Sequence, residues 1–184
     1  MCKNTLLTVA MLVGLCMVAV GCTSAGKFQA TSMPESLDTQ RVTQVAVVVR
    51  DVEKAAKEWA DLFGVEVPKS SLTDPLEKAH TTYRGRPTQG RAKLVFFKLD
   101  NLQLELIEPV GGPSTWREFL ETNGEGVHHI AFEVKGTDKY VAMLEKKGMP
   151  LVQRGEWTAY TGGCYTYFDS VQKLGVALEL LENY

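Results

Sequence analysis

Leu102-Gln103-Leu104-Glu105-Leu106-Ile107-Glu108 and Val176-Ala177-Leu178-Glu179-Leu180-Leu181-Glu182 are one pattern written twice, at an offset of 74 residues. In both, apolar side chains repeat with the period of two that sends successive residues to opposite faces of a strand. Each follows another strand signal across a short turn, Leu94 to Leu99 in one case and Tyr165 to Phe168 in the other. Upstream, the β-branched run Val42 to Val49 has a mate in His128-His129-Ile130-Ala131-Phe132-Glu133-Val134. Sliding by 85 residues lays Gln44-Val45-Ala46 on His129-Ile130-Ala131. After the first of these strands Asp51 caps a helix in which Val52, Ala55, Ala56, Trp59, Leu62 and Phe63 recur at helical spacing, and Gly64 ends it. After the second, Tyr140, Val141 and Leu144 repeat the pattern and Gly148 closes it. A third, shorter strand is expected near Thr81 to Arg84 and again near Leu151 to Arg154. The order is β-α-β-β-β, twice. An internal duplication dictates architecture, so the expected fold class is α+β: two βαβββ repeats, at about 41–110 and 126–184, forming a curved mixed sheet around a cleft.

Strand parity turns the repeat into a chemical expectation. Val45, Val47 and Val49 share one face of the first strand, and Gln44, Ala46 and Val48 the other. The helices need the apolar face, which leaves Gln44 and its mate His129 on the concave side. By the same parity Glu105 and Glu179 oppose Leu104, Leu106, Leu178 and Leu180. Four polar residues at two pairs of equivalent positions therefore converge where the halves meet. Three oxygen donors and one imidazole suit a divalent metal ion (Zn, Ni, Co or Mn) with positions left open for water or substrate. The bland alternative is that Glu105 and Glu179 are solvated strand residues, and matching repeat positions in otherwise apolar strands argue against it.

The chain has 184 residues, 45% apolar and 23% charged, with a formal net charge of −2. That balance suits a globular protein and gives no general attraction for nucleic acid. Residues 1–22 stand apart: Lys3 precedes an uncharged apolar run from Leu6 to Val20, too short for a comfortable membrane span and suited to a signal-peptide core. Ala19-Val20-Gly21-Cys22 resembles a bacterial lipobox, in which Cys22 is lipidated and becomes the new N-terminus. An uncleaved N-terminal anchor is the other reading. Both put the domain in the cell envelope, at a membrane surface and outside the cytoplasm. Residues 23–40, rich in Ser, Thr, Ala and Gly, read as a flexible tether. Cys2 and Cys16 leave with the signal and Cys22 carries lipid, so Cys164 is alone, a buried inert thiol with no disulfide partner.

Gly126-Val127-His128-His129-Ile130-Ala131-Phe132-Glu133-Val134, Leu104-Glu105-Leu106-Ile107-Glu108-Pro109 and Gly175-Val176-Ala177-Leu178-Glu179-Leu180 resemble the vicinal oxygen chelate superfamily, the glyoxalase, bleomycin resistance and dioxygenase group. Within it they are most similar to methylmalonyl-CoA epimerases and glyoxalase I, and the resemblance covers 41–184. It implies metal ligands at Gln44, Glu105, His129 and Glu179, with His129 rather than its neighbour His128 in the ligand position. Gln44 stands where epimerases usually carry His, and the Gln/Glu/His/Glu set resembles zinc glyoxalase I of the eukaryotic type. The resemblance further assigns Glu179 as general base with Glu105 as its partner across a planar enediolate. Some relatives build the site across a homodimer, although here all four donors are expected within one chain.

The expected function is metal-dependent isomerisation or elimination by proton transfer at a carbon adjacent to a carbonyl of a small-molecule substrate. A non-catalytic small-molecule-binding lipoprotein of the bleomycin-resistance type is the alternative. Extradiol dioxygenase chemistry ranks last, since it normally needs two His and one Glu around iron. Parity points His128 to the opposite face, as a structural residue. The basic stretch Arg84-Gly85-Arg86-Pro87 to Arg91 and Lys93 reads as a solvated hairpin before an anion grip. Trp157 to Gly163, with Tyr160, reads as a loop over the pocket mouth.

Overall fold

The β-branched run forms β1 (Val42–Val48), and Asp51 caps α1 (Val52–Phe63) as expected, its carboxylate accepting from the Lys54 amide at 2.9 Å. Gly64 closes the helix at φ 66°, a left-handed conformation in which a Cβ is strained. A computed structural model describes residues 33–184. The expected signal at 1–22, the lipidated Cys22 and the tether as far as residue 32 lie outside the described residues. The chain continues through β2 (Ser71–Leu72), α2 (Leu76–Ala79), β3 (Thr82–Tyr83), β4 (Arg86–Pro87), β5 (Gly90–Lys98), β6 (Gln103–Gly111) and α3 (Thr115–Asn123). The second half contains β7 (Gly126–Glu133), α4 (Thr137–Lys146), β8 (Leu151–Trp157), β9 (Gly163–Phe168), α5 (Val171–Leu174) and β10 (Ala177–Asn183).

All ten strands join one sheet in the order β2-β5-β6-β1-β7-β10-β9-β8-β3-β4. The sheet is mixed and curls into a half-barrel, as the duplication implied. β1 pairs parallel with β6, and β7 parallel with β10, while β1 and β7 run antiparallel to each other at the joint between the halves. The order on one side of that joint mirrors the order on the other.

One expected strand behaves differently. Thr81 to Arg84 contains β3, but β3 crosses to the far edge and pairs with β8 of the other half, Thr82 opposite Arg154 and Tyr83 opposite Gln153. The strand beside β5 is only the two-residue β2. Pro75, without an N–H, caps α2 shortly after β2, and the unpaired backbone edge of β8 takes up β3 instead.

Each half buries an apolar layer under its helix. Val49, Val52, Ala56, Ala60, Val95, Phe97, Leu104 and Leu106 form one layer, and Val134, Tyr140, Met143, Leu144, Phe168, Leu178 and Leu180 belong to the other. The parity expected for β1 holds: Val47 and Val49 face α1, whereas Ala46 and Val48 face the inner side of the curl. The inner side carries a third layer built around α3, with Trp116 and Leu120 packed on Ala46, Val48, Ala92, Ile107 and Tyr167. Trp116, Phe119 and Leu120 fall at helical spacing and Ser114 Oγ caps the Arg117 amide at 3.1 Å. The last residues before β1 run over the second half, where Leu37 packs on its core and Asp38 lies 3.5 Å from Lys139 Nζ.

Leu106 is fully buried between α1 and the sheet, and Leu62 on the same helix is 72% exposed. Leu106→Ala is expected to lower the unfolding free energy by roughly 2–5 kcal/mol in urea titrations. Leu62→Ala is expected to change it by less than about 0.5 kcal/mol.

Candidate metal centre

Strand pairing brings the four expected donors together. Ala46 of β1 lies opposite Glu105 of β6 on one side and His129 of β7 on the other, and Glu179 of β10 lies beside Ala131. Gln44, two residues from Ala46, points to the same inner face. His129 Nε2 is the common neighbour: it sits 2.9 Å from Glu179 Oε2, 3.2 Å from Gln44 Oε1 and 3.5 Å from Glu105 Oε2. All four residues are buried, with His129 at 0% exposure and Glu105, the most accessible, at 6%. Gln103 completes the group from β6, its Oε1 accepting from Gln44 Nε2 at 2.7 Å, which leaves Gln44 Oε1 turned toward the imidazole.

His128 departs from its expected orientation. In a regular strand adjacent side chains diverge, but the pairing slips between Ala46 opposite His129 and Val47 opposite Val127. Two residues of β7 therefore face one of β1. This bulge turns His128 inward beside His129, with the two Nδ1 atoms 3.0 Å apart. Val127, which takes the outward position, is 54% exposed.

The electrostatics explain why this cluster is unusual. Two carboxylates lie buried, and among the described residues their only ion-pair neighbour is His129. Burial, reinforced by the negative charge of Glu179, pushes the Glu105 carboxyl well above its usual range. Burial, then the neighbouring His129, depresses the His128 imidazole, which is held neutral. Burial also raises the phenols of Tyr167, well above its usual value, and Tyr165, to about 12. One imidazole Nε2 faces three oxygens, and a single ring hydrogen does not satisfy three acceptors. Among the described residues Glu179 Oε2 accordingly has no aligned hydrogen bond, although it is only 2.9 Å from the ring nitrogen. A buried carboxylate oxygen without a donor is costly. A divalent cation among these four atoms relieves both the missing donor and the uncompensated charge, so the donor set fits the metal that its chemistry implied.

Several groups near the centre escaped the sequence reading. Trp116 Nε1 donates to Tyr167 Oη at 3.2 Å, and the Tyr167 ring lies 5.0 Å from that of His129. The adjacent histidines were the available signal, because two such residues share a strand face only at a bulge. Other motifs resolve as structure. Arg84 grips the Glu118 carboxylate at 2.8 and 2.9 Å, Arg91 Nε donates to the Thr73 carbonyl at 2.8 Å, and Lys93 pairs with Glu53. Two of the four cations of the basic stretch, Arg84 and Lys93, are thus neutralised by carboxylates, and Arg91 is held by a carbonyl. Tyr160 turns fully to solvent and lines no cleft. A second acidic group, Asp51, Glu53 and Glu108, is tight enough to hold an ion. Its members already serve the start of α1: Asp51 accepts from the Lys54 amide, Glu108 from the Val52 amide at 2.9 Å, and Glu53 pairs with Lys93.

Comparison with known proteins bears on this arrangement. The sequence profile of the glyoxalase/bleomycin resistance protein/dioxygenase superfamily matches residues 43–168. The chain is 34% identical over 134 residues to the mitochondrial methylmalonyl-CoA epimerase of Mus musculus, covering 71% of this chain and 66% of that protein. It is 30% identical over 117 residues to an ethylmalonyl-CoA/methylmalonyl-CoA epimerase of Cereibacter sphaeroides, covering 63% and 77% respectively. The chain spans 66% of the length of the mouse relative and 53% of its Homo sapiens counterpart. Among solved structures, a variant of Streptomyces coelicolor methylmalonyl-CoA epimerase in complex with 2-nitronate-propionyl-CoA superposes with a TM-score of 0.54 at 23% identity, over 78% of this chain and 96% of that one. The Mycobacterium tuberculosis methylmalonyl-CoA epimerase gives 0.55 at 18% identity, over 82% and 95%. These structural matches establish the fold. Together with the profile, which spans most of the described residues, they complete the assignment: the chain belongs to the glyoxalase/bleomycin resistance protein/dioxygenase superfamily, and methylmalonyl-CoA epimerases are among its relatives.

Proposed function

We propose that this protein is a divalent-metal-dependent isomerase or lyase of the epimerase type, moving a proton at a carbon adjacent to a substrate carbonyl. The observation that carries this reading is the convergence of Gln44, Glu105 and Glu179 on one imidazole nitrogen in a buried site where, among the described residues, no Lys or Arg pairs with either carboxylate. Gln44, Glu105, His129 and Glu179 would hold the ion. A bound Zn, Ni, Co or Mn supplies Lewis acidity toward a carbonyl oxygen and offsets the charge that develops there. Gln103 orients Gln44 through its 2.7 Å hydrogen bond. Glu179 would take the proton on its carboxylate, at the oxygen that does not face the ion. Glu105 approaches from β6, on the opposite side of the β1–β7 pair from β10, and can return a proton to the other face of a planar intermediate. Trp116, Phe119 and Leu120 of α3 pack on the inner face beside the centre and exclude water from it.

The epimerase relatives support acyl-CoA thioesters as the first substrate class to test. Residues 1–22 support a different compartment from that of the usual CoA pool, since Cys22 lies in a lipobox-like context. Small α-hydroxy and α-keto compounds therefore belong in the same screen.

Three outcomes follow. The purified chain is expected to carry about one divalent ion. Glu179→Gln should keep that ion while slowing exchange of the substrate α-hydrogen with deuterated water by about 100- to 10,000-fold. Full exchange activity in that variant removes Glu179 as the base.

The second outcome concerns pH. The Glu105 carboxyl is raised above its usual value of 4.5 in the metal-free fold. The folded state therefore holds a proton that the unfolded chain releases first, and this contribution to stability is complete below the unfolded value and lost as pH rises through the folded one. The urea midpoint of the metal-free protein should fall, relative to that of Glu105→Gln, between acidic and neutral pH. Parallel pH profiles for the two proteins contradict the buried, cation-free state of Glu105.

The third concerns the leader. Expressed in a bacterium, the chain should incorporate labelled palmitate into the membrane fraction, and Cys22→Ala should abolish that label. Labelling that survives the substitution excludes lipidation at Cys22.

A further inference from the structure

We infer that His128 is a positioning residue that presents the bare Nε2 of His129 to the metal, an inference that rests on the metal-centre reading above. The evidence is a continuous hydrogen-bonded chain. His128 Nδ1 lies 3.0 Å from His129 Nδ1, and His128 Nε2 lies 3.2 Å from Thr115 Oγ1 at the first residue of α3. The Thr115 amide in turn donates to Gln153 Oε1 at 2.8 Å. Two facing Nδ1 atoms share one hydrogen, so one ring donates and the other accepts. A metal ligand needs a lone pair at His129 Nε2, which places the His129 hydrogen on Nδ1 and makes His128 Nδ1 the acceptor. The His128 hydrogen is then on Nε2 and points at Thr115 Oγ1. Without metal the opposite arrangement is favoured: His128 donates from Nδ1, and the His129 hydrogen moves to Nε2, among Glu179, Gln44 and Glu105. Only the placement of two hydrogens changes.

Geometry holds His128 in this role. The β7 bulge brings it to the inner face, and the rings of Phe119 at 5.2 Å and Tyr167 at 5.6 Å clamp it edge-on. The residue is 3% exposed, so no water substitutes for the acceptor. Groups that orient a ligating imidazole through its second nitrogen contribute strongly to metal affinity. The same chain ties the ligand to α3, the element that covers the site, so movement of α3 at Thr115 is felt at His129.

Two substitutions separate positioning from packing. His128→Phe keeps the ring shape without an acceptor, and His128→Asn keeps an acceptor near the place of Nδ1. Zinc affinity of the full chain, measured by competition with a chromogenic chelator, should fall about 10- to 100-fold in His128→Phe. In His128→Asn it should stay within a few-fold of the parent. Nitrogen-15 spectra of the unsubstituted protein give a readout that does not depend on a variant folding: with zinc bound, His128 should carry its hydrogen on Nε2, and without zinc on Nδ1. Folded His128→Phe with parental zinc affinity, or a zinc-loaded parent with hydrogen on His128 Nδ1, overturns the inference. A parent that binds no zinc overturns the metal-centre reading and this inference with it. Equal binding by parent and His128→Phe overturns the positioning role alone.

Discussion

Antiparallel pairing of β1 with β7 is the joint on which the molecule depends. It joins the first strands of the two halves over most of their length, whereas β3 and β8 meet across the repeat over only two residues, and Ala46 opposite His129 is its central register. Because each half also places its last strand parallel to its first, the same register sets Glu105 beside Ala46 and Glu179 beside Ala131. A slip of one residue at this joint would send Gln44 and His129 to opposite faces of the sheet. The small side chain of Ala46, fully buried between Glu105 and His129, leaves room for the larger groups to converge.

This convergence is costly for the fold taken alone. Apolar residues at 105 and 179 would pack without the desolvation that two buried carboxylates impose, and replacing buried charges with well-fitted hydrophobic groups is often neutral or stabilising. The aromatic surroundings sharpen the point: Trp116, Tyr165 and Tyr167 exclude the water that would otherwise solvate the acids. A buried polar network with an unsatisfied carboxylate oxygen is the signature of a functional site, where local stability is given up for chemistry. The exposed group at Asp51, Glu53 and Glu108 is the useful contrast. Its acids cap a helix, meet Lys93 or face solvent, and each has a structural reason to be present.

Much of this was legible in the sequence because duplication doubles every signal. Glu105 alone is one polar residue in a strand, whereas Glu105 and Glu179 in matching frames are a statement about one face of the sheet. Gln44 acquired its place only as the mate of His129. What escaped was everything set by non-local pairing. Strict alternation points His128 outward, and the bulge that reverses it exists only in the register of β7 against β1. β3 was legible as a strand but not as a partner of β8, since nothing local marks which distant edge a short strand will join. The helical spacing of Trp116, Phe119 and Leu120 was present in the sequence, but it lies between the repeats and so had no mate to draw attention to it.

The central claim is that Gln44, Glu105, His129 and Glu179 hold one ion between the halves. Anomalous scattering from crystals grown with zinc or cobalt, recorded at the metal edge, tests it directly. One peak is predicted within about 2.0–2.2 Å of His129 Nε2 and of oxygens from the other three residues. A peak at Asp51, Glu53 and Glu108 instead, or no peak on the inner face of the sheet, contradicts it.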